Sequence, residues 1–247
     1  MHRIYYPSNF CKAEQVLITD SSELHHLHGV LRLGKGSKVR IFDGQGKEAA
    51  GEISFIGPRK AVINIFSIKE IVPKIPSIIL ACAVPKKTKF EMIIEKATEL
   101  GVDEIIPLKT KRTEMSLTGD RASKKIKRYQ IVAINAAKQS GRLIVPKIHP
   151  ITEFSKAIEY LQGQSQMIIP SLSGKRQNLI QILQDIQSPQ SISFLIGPEG
   201  DFTEKEYKLA WNNGAHPVTL GNTILKVETA AISVMSCAQL FYHSPKH

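Results

Sequence analysis

Cysteine is scarce: Cys11, Cys82 and Cys237 are the only three in 247 residues, and no two form a Cys-x-x-Cys pair. That spacing excludes a disulfide framework and a zinc finger and fits a reducing, cytoplasmic setting. Long apolar runs are also missing. The opening residues, Met1-His2-Arg3-Ile4-Tyr5-Tyr6-Pro7, lack the apolar stretch of a signal peptide, and no segment reaches the roughly 20 apolar residues that cross a bilayer. Thr229 to Tyr242 comes nearest, but it is short and carries Ser233, Ser236 and Gln239, so it reads as a buried or interface helix. No membrane partner is expected. Repeats and low-complexity tracts are absent too.

Acid is the other shortage. Asp and Glu total 22 against 33 Lys and Arg, a formal net charge of +11, which points to a polyanionic partner unless the excess serves solubility alone. Apolar residues at 42% and charged residues at 22% are ordinary for a packed globular chain.

The first seventy residues read as short strands, Arg3 to Tyr6, Gln15 to Ile18, Val39 to Phe42, Glu48 to Phe55 and Ala61 to Ile68, with turns at Asp43-Gly44-Gln45-Gly46 and Gly57-Pro58. A short helix opens near Asp20 or Ser21 and carries Leu24, Leu27 and Leu31. Together these predict a small β-barrel over residues 1–72. After the proline-containing stretch Lys69 to Ser77 the pattern becomes alternating strands and helices over 73–247, an α/β domain with a mostly parallel sheet. Its helix from Phe90 to Leu100 places Ile93, Ile94 and Ala97 on one face and stops at Gly101.

Two segments carry chemistry. Phe194-Leu195-Ile196-Gly197-Pro198-Glu199-Gly200-Asp201-Phe202-Thr203 runs from an apolar strand through glycines to a helix start, where Thr203 and Glu206 have capping-box spacing. Leu220-Gly221-Asn222-Thr223-Ile224-Leu225-Lys226-Val227-Glu228-Thr229-Ala230-Ala231 repeats the strand, glycine loop and helix. Neither is a Rossmann or Walker loop. Each alone could be an ordinary turn; two such loops at the carboxyl end of a parallel sheet can wall one pocket.

Ile-Gly-Pro-Glu-Gly followed by Leu-Gly-x-x-Ile-Leu-Lys-x-Glu-Thr-Ala resembles the RsmE branch of the SPOUT methyltransferases, and the likeness extends to Glu95-Lys96-Ala97-Thr98-Glu99-Leu100-Gly101-Val102, Arg112, Gln139-Ser140-Gly141-Arg142 and Val30-Leu31-Arg32-Leu33. The resemblance implies an N-terminal PUA-like RNA-binding barrel and a C-terminal SPOUT-type knotted α/β domain that forms a homodimer. It also implies transfer of a methyl group from S-adenosylmethionine to N3 of a uridine in 16S ribosomal RNA, with the RNA met within the assembled 30S particle. The sequence departs from the family pattern at Lys226, where arginine is usual, and at Asp201, Val227 and Lys138. Lysine keeps the charge of arginine and loses its planar fork.

By the same resemblance backbone groups of Ile169, Ser171, Gly197, Gly200, Leu220, Gly221 and Leu225 hold the donor. Lys226, Arg142 and Arg112 are candidates for meeting the target nucleotide or its phosphates, and Glu199 and Glu228 for removing the N3 proton. The negative charge left on the uracil oxygens calls for a nearby cation. The helix from Arg121 carries Lys124, Lys125, Lys127 and Arg128 with little compensating acid, and Arg3 and Arg32 lie on the barrel; these are the expected RNA contacts. His25, His26 and His28 lack completing ligands, and no metal is expected. Two competing readings are a non-catalytic RNA-binding or ribosome-assembly protein and a SPOUT methyltransferase acting on a different RNA.

Overall fold

The computed structural model describes residues 2–10, 13–85, 89–113, 119–172 and 174–243. The chain divides into two compact units, the first of residues 1–73 with 137–145, the second of residues 74–136 with 146–247.

In the first unit, β1 (His2–Tyr5), β2 (Gln15–Ile18), β3 (Lys38–Phe42), β4 (Lys47–Ile56) and β5 (Ala61–Glu70) form one sheet in the order β1-β3-β4-β5-β2. β1 runs parallel to β3, and the other pairings are antiparallel. Alternation decides the inside: Val16, Ile18, Val39, Ile41, Ile53 and Ile63 turn inward and pack together. The β4–β5 ladder shifts register at Ala50/Gly51 and at Ile53/Phe55, irregularities of the kind that bend and twist a sheet. At the first of these a Cβ on Gly51 would come within 2.4 Å of the Asn64 carbonyl oxygen, so glycine is required there. Helix α1 (Ser21–Leu24) starts where the Asp20 carboxylate accepts the Glu23 N–H at 2.9 Å, then widens into a π-helical segment, His25–Val30, that keeps Leu27 buried.

Segment 137–145, placed by sequence in the second domain, groups with the first unit because Phe42, Ala137 and Leu143 bury one another and the Val145 N–H donates to the Gly44 carbonyl at 2.9 Å. Arg3 holds this arrangement together. Its guanidinium donates to the carbonyls of Ala137 (2.8 Å) and Arg142 (3.1 Å), lies over the Phe42 ring, and meets Glu48 at 3.2 Å with its side chain only 10% exposed. The expectation of an RNA contact at Arg3 is therefore corrected: its donors are consumed inside the domain. Glu48, 4% exposed, also pairs with Arg40 and Lys69. Lys138, where the family pattern has an acid, grips both oxygens of Glu23 at 2.7 and 2.8 Å.

The second unit is built on an eight-stranded sheet. Its elements are β6 (Ser77–Ala83), α2 (Lys89–Glu99), β7 (Glu104–Lys109), α3 (Asp120–Ser140), β8 (Lys147–Ile148), β9 (Thr152–Glu153) and α4 (Phe154–Leu161). They continue with β10 (Gln166–Pro170), β11 (Gln177–Asn178), α5 (Leu179–Asp185), β12 (Ser191–Ile196), α6 (Glu204–Asn212), β13 (His216–Thr219) and α7 (Val227–His243). The strand order is β11-β13-β10-β12-β6-β7-β8, with β9 also on β7, and every pairing is parallel. Both faces of β6 and β12 are covered, which is why Ile78 to Ala83 and Ile192 to Ile196 read as unbroken buried runs. Gly101, at φ +90°, ends α2 in the left-handed conformation the sequence called for.

The path positions the site. β12 and β13 flank β10 on opposite sides, yet α7, which follows β13, packs on β12, β6 and α2. Residues 220–226 therefore cross back over the carboxyl ends of the central strands. Two-residue strands β8, β9 and β11 are too short to leave a periodic signal in sequence.

Candidate active site

Three loops leave the carboxyl ends of the neighbouring strands β12, β10 and β13, where open α/β sheets bind their ligands. In the loop after β12, the Asp201 N–H closes a turn on the Pro198 carbonyl at 2.9 Å. Asp201 itself sits at φ +64°, a conformation in which glycine is usual and aspartate is one of the better substitutes. Its carboxylate is held in place by the Phe202 N–H (2.8 Å) and the Tyr207 hydroxyl (2.6 Å), which accounts for an aspartate at a position where the family pattern has glycine. The capping box forms as the spacing predicts: the Thr203 N–H donates to Glu206 at 2.8 Å and the Glu206 N–H to the Thr203 hydroxyl at 3.3 Å. The other Glu206 oxygen accepts the Lys111 N–H at 2.8 Å, and Arg112 donates to the Gly200 carbonyl. Arg112 thus clamps the loop after β12 to the segment after β7.

After β13, the Thr219 hydroxyl bonds both the N–H and the carbonyl of Gly221, and Gly221 adopts φ +128°. After β10, Ser171 is buried, its N–H on the Val218 carbonyl and its own carbonyl accepting from Arg176 at 3.0 Å.

These loops enclose a cavity of about 340 Å³. Ser171, Gly197, Leu220, Gly221 and Leu225 line it, together with Glu199, Lys226 and Glu228. Ile169 and Gly200, expected to meet the donor through their backbone, are not in this lining: the Ile169 side chain packs into the core, and the Gly200 carbonyl accepts from Arg112. Lys89, Arg176 and Asp201 join the lining without having been foreseen. Nothing local marks Lys89, which comes from the first turn of α2, 139 residues before its partner.

That partner is Glu228. The Lys89 ammonium donates to its Oε1 at 2.9 Å, with the Glu228 side chain 15% exposed. Lys89 holds the Glu228 carboxyl below the usual carboxylate range, and a backbone N–H and Lys226 act the same way. The Cys82 thiol, near the end of β6, is pushed up by burial, with the charges of Glu199 and Glu228 adding to the effect.

Of the expected RNA contacts in this unit, Lys124 is exposed on α3, as are Arg121 and Lys127. Lys125 is half-buried beside the Tyr129 ring, and burial lowers its pKa. Arg128 pairs with Glu91 at 2.8 Å. In the first unit Arg32 is exposed at φ +53°, and Arg142, whose carbonyl bonds Arg3, belongs to that unit. Among the described residues no group of three or more His, Cys, Asp or Glu could hold a metal ion, and no helix is long and apolar enough to cross a membrane.

The cavity suits a nucleoside sulfonium. Its size falls in the range of small-molecule sites, Ile196, Pro198, Leu220 and Leu225 offer apolar walls for a base, and the lining holds both carboxylates and cations to meet a ribose and a zwitterion. At Gly197 a Cβ would come within 3.2 Å of the Phe202 ring, so the backbone itself forms that wall.

The comparisons agree with this geometry. An RNA methyltransferase domain family matches residues 73–239, and an RNA methyltransferase PUA domain family matches residues 18–66. Ribosomal RNA small subunit methyltransferase E of Bacillus subtilis is 30% identical over 219 residues, 87% of this chain and 86% of that protein. The crystal structure of a ribosomal RNA small subunit methyltransferase E from Neisseria gonorrhoeae bound to S-adenosyl methionine is similar at a TM-score of 0.88 and 28% identity, covering 98% of both chains. A putative methyltransferase from Legionella pneumophila, in complex with bound SAM, is similar at 0.85 and 28%, covering 96% of each.

Proposed function

This chain belongs to the ribosomal RNA small subunit methyltransferase E family, and from that premise we propose that it methylates N3 of a uridine in small-subunit ribosomal RNA. It is an S-adenosylmethionine-dependent RNA methyltransferase. The observation that carries the reading is the convergence of the loops after β10, β12 and β13 on one cavity rimmed by Lys226, Glu199 and Glu228.

S-adenosylmethionine supplies an electrophilic methyl group when bound. The chain's own residues must orient donor and acceptor in line, exclude water, accept the N3 proton and stabilise the charge left on the uracil. Gly197, Gly221, Ser171, Leu220 and Leu225 form the donor wall. Lys226, exposed at the start of α7, offers a positive charge to the nucleotide. Glu228 is held ionised and therefore able to accept a proton, although its lowered pKa makes it a weak base until Lys89 is drawn away. Glu199 stands at the same rim as a second acceptor.

Arg32 in the first unit and Arg112, Arg121, Lys124, Lys127 and Arg128 in the second are exposed cations that suit a phosphate backbone. We place the reaction in the cytoplasm, on the assembled small subunit, with a homodimer as the working form and a knotted crossing of residues 220–226 at the donor site. The exposed Leu240 and Phe241 at the end of α7 support the dimer, and the return of α7 across the carboxyl ends of the strands supports the knot.

The test is transfer of labelled methyl from S-adenosylmethionine to small subunits that lack the mark, followed by digestion. N3-methyluridine is the expected product. Transfer to another atom or another RNA moves the substrate, and the absence of both transfer and donor binding defeats the enzyme reading in favour of an assembly protein.

A further inference from the structure

We propose that Lys89 and Glu228 together form the base-reading element of the active site, a donor beside an acceptor that selects a nucleobase presenting an N–H next to a carbonyl. The inference rests on the uridine reading above and assigns the selection to two particular side chains.

The geometry supplies the pair. Lys89 Nζ and Glu228 Oε1 lie 2.9 Å apart, one from the first turn of α2 and the other from the first turn of α7, and both line the cavity. Their burial is unequal: the Glu228 side chain is 15% exposed and the Lys89 side chain 41%. The carboxylate is thus fixed in the wall while the ammonium reaches it from the open side. An ammonium has three donor hydrogens, of which this contact takes one, and an ionised carboxylate accepts along several lone pairs.

Uracil presents a complementary edge. Its N3–H donates and the adjoining O4 accepts, so N3–H meets Glu228 while O4 meets Lys89. Guanine repeats the pattern at N1–H and O6. Cytosine and adenine present an acceptor nitrogen beside an amino donor, which would set lone pair against carboxylate and amino group against ammonium. Such a mismatch is rejected chiefly at Glu228, whose enclosed carboxylate would face a lone pair in place of a donor.

The same pair couples recognition to proton loss. Before the base enters, Lys89 keeps Glu228 a poor proton acceptor. When O4 draws the ammonium toward itself, the carboxylate loses its main stabilising partner and becomes more basic, while the charge growing on O4 is stabilised. The N3–H bond breaks with its proton passing to Glu228, and the electron pair left on N3 forms the new bond to methyl. The carbon–sulfur pair returns to sulfur as a neutral thioether, and Glu228 later releases its proton to water. Among the described residues Lys226, Glu199, Asp201 and Arg176 are the other ionisable groups in the lining. Lys226 carries charge without a fixed partner geometry, which suits a phosphate better than a base edge.

The experiment compares the wild-type chain with Lys89→Met, Lys89→Arg and Glu228→Gln on small subunits carrying uridine or cytidine at the methylated position. Binding is measured with S-adenosylhomocysteine in place of the donor, and turnover separately. The wild type is expected to bind the uridine particle roughly tenfold or more tighter than the cytidine one. Lys89→Met and Glu228→Gln should each reduce that preference to within about twofold and lower kcat on the order of 100-fold, with KM for the donor unchanged. Lys89→Arg should recover most of the preference. Retention of both preference and turnover in Lys89→Met overturns the proposal, and so does a rise in donor KM with the preference intact, which would make Lys89 a donor-pocket residue. If the wild type forms no N3-methyluridine, the uridine reading fails whatever Lys89 does. Thermal midpoints matching the wild type show that the variants are folded, and Lys89→Arg keeps the test open should the methionine variant not be.

Discussion

Two carboxylates, one in each unit, have opposite surroundings. Glu48 in the curled sheet is met by Arg3, Arg40 and Lys69 and is 4% exposed, so its charge is saturated from within. Glu228 at the parallel sheet's carboxyl edge meets Lys89 beside a cavity. Both are ion pairs between residues far apart in sequence. A carboxylate enclosed by three cations builds structure, because nothing else can reach it. A pair with one side open to a cavity can exchange partners, and so can do chemistry.

The comparison breaks most visibly at Glu48. Glu48→Ala leaves the Arg3 guanidinium nearly buried without its counter-charge and should destabilise the first unit by about 3–5 kcal/mol, seen as a lower midpoint in urea unfolding while donor binding persists. An unchanged midpoint would mean that water already screens the cluster. Next in size, Lys226→Ala should cut turnover on the order of 100-fold and leave donor affinity within about twofold. An equal loss in both would move Lys226 into the donor wall.

Gly221→Ala sharpens the contrast between backbone and side chain. No atom lies within 4 Å of the added Cβ, so the whole penalty is the φ of +128°, about 1–3 kcal/mol of strain, to be read by calorimetry as weaker S-adenosylmethionine binding. A normal affinity would show that the loop relaxes.

The smallest effect is expected at the amino end of the parallel sheet. There the Glu104 carboxylate meets His149 Nε2 at 2.5 Å and the Tyr160 hydroxyl at 3.0 Å, and these two hydrogen bonds hold it below the usual carboxylate range. A depressed acid stabilises the fold above its unfolded-state pKa and loses that contribution as pH falls through its folded-state pKa. Glu104→Gln should therefore cost about 1 kcal/mol at neutral pH, discounted for partial exposure, with the deficit closing in acid. A deficit that stays constant with pH would locate the loss in packing instead.

Much of this was legible along the chain. Gly101 after the apolar face of α2, the Thr203 and Glu206 capping box, and the buried runs of β6 and β12 are local patterns, and each appears where its spacing places it. Gly197 and Gly221 could be read as loop residues for the same reason. Arg3 could not be read: a cation near the chain start looks available to RNA, but it is consumed by Glu48 and two carbonyls, and nothing in the sequence foretold that the exposed Arg112 also donates to Gly200. Nor could the sequence tell that the Ile169 side chain packs into the core.

The sequence by itself determined the elements, their caps, the two kinds of sheet and the glycine loops, because these depend on neighbours within a turn or a strand. Only the tertiary structure decided which cations remain accessible and that Lys89 meets Glu228. Side chains of opposite charge find each other through the strand order of a sheet, and no spacing along a chain encodes a contact made by a crossing 139 residues later.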